Sequence, residues 1–178
     1  MLVRRHEMDA AYDLLLAEAD RAAPIEPKLA ARMLVQAETA IELERLDVQG
    51  ALALAARARS LAGHDGDRAE LQAINSLVVA RMTTGAPPDG EDLALVSRAA
   101  ELLERAELRT GSEEVHWISY CLALHERDDG ARRLSDRSLA EARAVGDVWR
   151  GTSSFPLSWP RRTSGSGAPA RRRACSAG

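Results

Sequence analysis

The chain has few aromatic residues, few cysteines and no long apolar run. Aromatic residues make up 3% of the 178 positions, which is too few to stack a row of nucleic-acid bases. No apolar run approaches the roughly 20 residues that span a bilayer, and Glu7 and Asp9 interrupt any signal-peptide core, so no membrane association is predicted. Cys121 and Cys175 form no Cys-x-x-Cys motif. These features predict a cytoplasmic protein in a reducing compartment.

Charge is divided unevenly along the chain. Residues 1–148 contain all 27 acidic residues and 18 of the 24 basic ones, a net charge of −9. Residues 149–178 contain six arginines and no acidic residue, a net charge of +6. Because nucleic-acid binding depends on Lys and Arg neutralising phosphates, the acidic body is not expected to bind nucleic acid, and only the tail could do so.

The apolar residues of the body recur at the three-four spacing of amphipathic helices, which predicts an all-α fold. Asp67 is expected to cap one helix with Glu70 reaching back toward the cap, and Gly63 to end the helix before it. The predicted helices are about 7–22, 27–46, 49–62, 67–84, 91–109, 113–127 and 130–145.

The helices also resemble one another along the chain. At an offset of 80 residues the helix at 49–62 matches the one at 130–145, pairing Gly50 with Gly130 and Leu54 with Leu134. At an offset of 41 it matches the helix that follows Gly90. The matches predict a two-helix repeat of about 40 residues in which each hairpin buries a face only against the next. The alternative is that Ala-rich amphipathic helices match by composition alone.

Residues 46–55 (LDVQGALALA) and 99–106 (AAELLERA), with the Gly-Asp connections, resemble the tetratricopeptide-like region of large LuxR-type ATPase regulators. The resemblance covers about residues 7–147. It implies an α-solenoid of antiparallel helical hairpins, which in that family lies between an ATPase and a DNA-reading helix-turn-helix. This chain has no Gly-x-x-x-x-Gly-Lys loop, and Lys28 is its single lysine. ATP and DNA binding therefore cannot be carried over to any residue here.

The last 30 residues break the pattern. They contain three prolines, four glycines and six serines, and Val148–Pro156 has no helical period. This composition predicts a helical-repeat domain at 1–148 and a disordered Arg/Ser/Gly/Pro-rich tail at 149–178. Because 23 arginines against one lysine suggest GC-rich coding, the tail is read either as the product of a reading-frame shift or as a genuine basic tail.

No catalytic, cofactor-binding or metal-binding residue is predicted. Among His116, Cys121 and His125, the last two share a helix face, whereas His116 lies about 140° from Cys121 around the helix and cannot converge with them. Cys121 is therefore expected in the core beside Trp117 and Leu124.

Other charged groups have ordinary structural explanations. The segment His64-Asp65-Gly66-Asp67 lacks the later oxygen ligands of a calcium loop and reads as a turn with an N-cap. The carboxylates have arginines nearby on the helices, such as Glu101 with Arg105, and are expected on solvated helix faces. The carboxylates in question are Glu38, Glu42, Glu101 and Glu104.

These features predict a non-catalytic helical-repeat module that binds a protein or a small effector in a concave groove, as a truncated segment of a LuxR-type regulator. The alternative is a nucleic-acid-associated protein that acts through the arginines of its tail, and a third class is an all-helical enzyme without a recognisable motif. The helix at 130–145 should pack on the helix of Trp117 and leave an apolar strip uncovered, which would favour self-association.

Truncation after residue 147 tests the domain boundary. We expect helicity by circular dichroism to stay unchanged, because the tail contributes no predicted helix. Aggregation should increase if Trp149, Phe155 and Trp159 shield the apolar strip, and should stay unchanged if the tail is inert. Loss of most of the helical signal would show that the boundary is wrong.

Overall fold

The computed structural model describes residues 2–45, 47–85, 87, 89–109, 114–125 and 127–144, and these residues form helices and no strand. The predicted all-α fold is confirmed, whereas the predicted disorder of 149–178 falls outside the described residues. The helices are α1 (Leu2–Ala22), α2 (Pro27–Arg45), α3 (Val48–Ala62), α4 (Arg68–Thr83), α5 (Gly90–Leu102), α6 (Ala106–Arg109), α7 (Glu114–Leu124) and α8 (Asp128–Ala144).

Local sequence signals set most of the helix ends. α2 begins at Pro27, whose missing N–H is not needed in the first turn. α3 ends before Gly63, whose φ of 72° is a left-handed conformation that favours glycine. Asp67 caps α4 by accepting a hydrogen bond from the Glu70 backbone N–H at 3.0 Å. The predicted N-cap is therefore confirmed.

The predicted fifth helix, 91–109, is wrong in its second half. α5 ends at Leu102, and a tight turn separates it from the four-residue α6. The guanidinium of Arg109 donates to the backbone carbonyls of Leu103 and Glu104, and Arg105 donates to the carbonyl of Gly66. The two bonds from Arg109 satisfy carbonyls that a continuing helix would have used, whereas the bond from Arg105 ties the turn to the loop before α4. Leu103 stays fully buried. Apolar residues keep the helical spacing through this turn, so the sequence pattern gave no sign that the helix ends at Leu102.

Neighbouring helices pack on each other in chain order. α1 packs on α2, α2 on α3, α3 on α4 and α4 on α5, and α8 packs on α7 as predicted. Contacts between α2 and α4 and between α4 and α7 join successive hairpins. One core cluster, around α2 and α3, consists mostly of alanine, whereas the cluster shared by α4, α5, α7 and α8 consists mostly of Leu, Ile and Val.

Several contacts between elements join residues that lie about 39 positions apart. The first joins Lys28 Nζ to Asp67 Oδ2 at 2.6 Å, a separation of 39 residues. The others are Ser76 Oγ to Glu38 Oε2 at 3.1 Å (38 residues), Arg68 Nη2 to the Leu108 carbonyl at 3.0 Å (40 residues) and Cys121 Sγ to Met82 Sδ at 3.2 Å (39 residues). The sequence separation of these contacting residues is close to the repeat length of about 40 residues that the sequence matches predict.

Four glutamates were expected on solvated helix faces, and the structure confirms this for two of them and contradicts it for one. Glu101 and Glu104 are exposed and pair with Arg98 and Arg137. Glu38 is only 3% exposed, because the interface between α2 and α4 covers it. The prediction for Glu38 is therefore wrong, and Glu42 lies outside the side chains that the structure describes.

Glu70 is the central charged group of the fold. Its carboxylate is 0% exposed and accepts hydrogen bonds from Arg98 Nε and Nη2 at 3.0 and 3.1 Å. It also accepts from the Gly66 N–H at 2.7 Å, so it reaches back one residue beyond the Asp67 cap. Arg59 of α3 lies 3.8 Å away. Glu70 therefore joins α3, α4, α5 and the loop between α3 and α4.

Two opposing effects set the pKa of Glu70. Burial acts to raise it, but the hydrogen bonds from Arg98 and Gly66 outweigh burial and hold the pKa below its ordinary value. The carboxylate therefore stays ionised at neutral pH. Gly66 has a φ of 73°, and a Cβ there would lie 2.8 Å from Arg105, so this loop requires glycine.

We expect Glu70→Gln to lower the free energy of unfolding at pH 7 by about 2 kcal/mol. This is less than for a fully buried ion pair, because Arg98 is partly exposed. Since the pKa of Glu70 is lowered, its stabilisation is present above the ordinary glutamate pKa of about 4.3 and is lost as the pH falls through the lowered value. Chemical denaturation at several pH values measures the difference.

Glu101→Gln is the matched control, because Glu101 contacts the same arginine but its side chain is 70% exposed. It should change the free energy of unfolding by less than about 0.5 kcal/mol. Equal effects of the two substitutions would contradict the role given to Glu70.

Candidate functional site

A cleft of about 220 Å³ opens where α3, α4, α5 and α7 meet. This volume is smaller than that of a drug-sized site, so the cleft would hold a compound of one ring or a short chain. The apolar wall is formed by Leu52, Val78, Met82, Pro87, Cys121 and Leu124. The polar residues are Arg81, Thr84, Asp89, Glu91, Asp92 and His125.

The polar side of the cleft carries three carboxylates and one guanidinium. Arg81 contacts Glu91 at 2.9 Å and Asp92 at 3.0 Å. Asp89 caps α5 by accepting from the backbone N–H groups of Glu91 and Asp92, and Asp92 accepts in return from the Asp89 N–H. This reciprocal capping box fixes the carboxylates at the start of α5. The cleft therefore has an excess of negative charge.

The capping bonds also set the charge state of this side of the cleft. Hydrogen bonds from the backbone of Asp92 and Glu91, with the charges of Arg81 and His125, hold the pKa of Asp89 below its ordinary value. Desolvation opposes a high pKa for Arg81, but its bonds to Asp92 and Glu91 prevail and raise it. Asp89 and Arg81 are therefore both ionised at neutral pH.

Cys121 and Met82 bring two sulfur atoms together at the apolar wall. The Cys121 thiol is buried, donates to Met82 Sδ at 3.2 Å and belongs to the core as predicted. Burial, reinforced by the charge of Asp92, raises the pKa of this thiol to about 11. A thiol that stays protonated at neutral pH is a poor nucleophile and a poor metal ligand.

The structure separates the histidines as the helix geometry predicted. Cys121 and His125 both line the cleft, whereas His116 packs edge-on against Trp117 with ring centroids 5.7 Å apart. In the part of the chain that the structure describes, no three His, Cys, Asp or Glu side chains are grouped closely enough to hold a metal ion.

The loop at 64–67 has a partner that sequence reasoning missed. The Lys28 ammonium lies 2.5 Å from Asp65 and 2.6 Å from Asp67. Its hydrogen bonds to Asp65 and Asp67 raise the pKa of Lys28, so the charge persists. The carboxylates of Asp65 and Asp67, which could have bound a cation, are thus paired with Lys28, and Asp67 also caps α4. Lys28 and Asp67 are 39 residues apart, close to the predicted repeat length, and this spacing was the one sequence feature that could have indicated the contact.

Large apolar side chains cover one exposed face of α7. Trp117, Tyr120 and Leu124 are 41%, 41% and 45% exposed and lie three and seven positions apart on one side of the helix. We call these three residues the α7 strip. Cys121 lies in the core as expected, and Leu124 lines the cleft beside it. Trp117 and Leu124 are not core residues, however, because the face of α7 with Ile118 and Leu122 enters the core. An uncovered apolar strip was expected on the last hairpin, and the structure places one on α7.

Comparisons with known proteins return no neighbour: no family model matches the chain, and neither a curated protein nor a solved structure is detectably similar to it. None of the described helices is both long and apolar enough to cross a membrane.

The reactivity of Cys121 tests the geometry of the cleft. In a Cys175→Ser chain at pH 8, we expect iodoacetamide to modify native Cys121 about 100-fold more slowly than the same chain unfolded in urea, because its raised pKa leaves little thiolate. Mass spectrometry over time measures the rates. Equal rates in the two states would contradict the burial of this thiol.

Proposed function

We propose that the chain is a non-catalytic helical-repeat module whose hairpins stack in a tetratricopeptide-like array and whose cleft holds a small effector. The observation that carries the proposal is the set of contacts between residues about 39 positions apart. In a stacked array, equivalent positions of neighbouring repeats lie side by side, so contacts recur at the repeat length.

Burial at matched positions supports the same proposal. At the offset of 41, the buried residues Ala55, Ala58 and Ala62 correspond to Val96, Ala99 and Leu103, which are also buried. At the offset of 80, buried Ala51 corresponds to buried Ala131. Helices α3, α5 and α8 are thus the equivalent second helices of three hairpins, and α2, α4 and α7 are the first helices, in contact with one another in succession.

The chemistry of the cleft suggests its class of ligand. The apolar wall would cover a ring or a short alkyl body, and the carboxylate excess at Asp89, Glu91 and Asp92 favours a positive group. Glu91 is more accessible than Asp92, because their side chains are 67% and 16% exposed. We propose a small organic cation with an apolar body.

The proposal that this module is part of a regulator rests on the sequence resemblance. In LuxR-type regulators a region of this kind lies between the ATPase and the DNA-binding part, and we propose that this chain corresponds to a segment of one. The alternative proposal, nucleic-acid association, rests on the six arginines of residues 149–178. It predicts salt-dependent DNA binding that is lost when those residues are deleted.

Ligand-observed NMR with three single-ring compounds tests the cleft. We expect benzylammonium to bind at millimolar concentration, about tenfold more tightly than benzoate, with benzyl alcohol between them, because the carboxylates attract the ammonium and repel the carboxylate. Leu52→Trp, which fills the cleft, should abolish binding.

Leu29→Trp is the matched control, because Leu29 is exposed on α2 and does not line the cleft. It should leave binding of benzylammonium unchanged. Equal binding of benzoate and benzylammonium, or binding that survives Leu52→Trp, would contradict the proposed ligand class or site.

A further inference from the structure

We infer that the guanidinium of Arg81 is an internal occupant of the cation-binding side of the cleft, and that the effector carries a planar amidinium or guanidinium that takes its place. The inference rests on the proposed function, because it concerns the same cleft and the same class of ligand. It adds the shape of the positive group, and it makes Arg81 the residue that sets how tightly this group binds.

One guanidinium holds two carboxylates at the start of α5. Arg81 Nη2 lies 2.9 Å from Glu91 Oε1, and Arg81 Nη1 lies 3.0 Å from Asp92 Oδ1. Asp92 is fixed in this orientation, because its other oxygen accepts the Asp89 backbone N–H at 3.0 Å in the capping box. The two acceptor oxygens are therefore spaced for a forked N–C–N group, a shape that an amidinium shares and a single ammonium lacks.

Charge makes Arg81 a competitor of any cationic ligand. Asp89, Glu91 and Asp92 bring three negative charges to the cleft, and Arg81 neutralises one of them. A second cation placed beside Arg81 would be repelled by it at contact distance. A ligand cation therefore gains most when it replaces the Arg81 guanidinium between the carboxylates.

Arg81 can leave the carboxylates without becoming a buried unpaired charge. Its side chain is 27% exposed, and its flexible stem can turn the guanidinium into solvent. Arg81 also lies in the last turn of α4, where a positive charge is favoured beside the carbonyl end of the helix. The incoming group restores the ion pair of Asp92, which is only 16% exposed, so displacement leaves no buried carboxylate without a partner.

The wall of the cleft favours a cation that has N–H donors. Among the described residues that line the cleft there is no Phe, Tyr or Trp, so a quaternary ammonium would find no aromatic cage. The carboxylates offer hydrogen-bond acceptors instead. Benzamidine, which is one ring with an amidinium, has the size and the forked donor of the inferred class.

Binding of single-ring compounds to the full chain and to Arg81→Met tests the inference. We expect the wild-type chain to bind benzamidine about threefold more tightly than benzylammonium, because its two nitrogens match both carboxylates. Arg81→Met should bind benzamidine about tenfold more tightly than the wild-type chain, since the internal competitor and its charge are gone. Benzyl alcohol should bind both chains equally, which separates the loss of charge from a change in apolar surface. Ligand-observed NMR measures these affinities.

Arg57→Met is the matched control, because Arg57 pairs with Asp20, does not line the cleft and carries the same charge. It should leave benzamidine binding unchanged. The inference would be overturned, with the cleft ligand still in place, by equal benzamidine binding to Arg81→Met and wild type, by an equal gain for benzyl alcohol or for Arg57→Met, or by benzylammonium binding as tightly as benzamidine. Failure of both cations to bind either chain would overturn the proposed function and the inference together.

A second measurement uses the wild-type chain and does not require Arg81→Met to be stable. With ¹⁵N-labelled arginine, and assignment by Arg81→Lys, the Nη1 and Nη2 atoms of Arg81 should give separate signals in the free chain, because bonds to two carboxylates slow rotation of the guanidinium. Saturating benzamidine should merge these signals, since the released group rotates faster. Separate signals that persist at saturation would overturn the displacement of Arg81.

Discussion

Contact between residues about 39 positions apart is the constraint on which the rest of the structure depends. An amphipathic hairpin buries its apolar face only when another hairpin packs against it. Glu38 with Ser76, and Met82 with Cys121, fix how α2, α4 and α7 pack in succession. The cleft follows from this packing, because its wall combines residues of four helices that are far apart in sequence.

Charged side chains fix several of the connections between helices. Glu70 joins the loop before α4 to Arg98 of α5. Arg109 closes the turn after α5 and pairs with Glu141 of α8. Both groups are buried and hydrogen-bonded, so the loss of one partner would leave an uncompensated charge. The positions of the helices therefore depend on a few polar contacts as much as on apolar packing.

The sequence predicted those features that local patterns control. The all-α class, the Asp67 cap and the separation of His116 from Cys121 follow from helix periodicity and side-chain chemistry. The break after Leu102, the burial of Glu38 and the exposure of Trp117 were not predicted. Each depends on a partner about 30 to 40 residues away or on the absence of one, and the apolar period within a single helix carries no such information. Arg81, Glu91 and Asp92 were missed for the same reason, since they form one site only after α4 and α5 pack together.

The nuclear Overhauser effect between the Met82 methyl group and the Cys121 β protons is the most direct test of the stacking at this interval. With ¹³C-methyl-labelled methionine, and assignment by Met82→Leu, the account predicts a strong cross-peak to Cys121, which is 39 residues away in sequence. A Met82 methyl group with cross-peaks only to residues of α4 and its adjoining turns would contradict the stacking of α7 on α4.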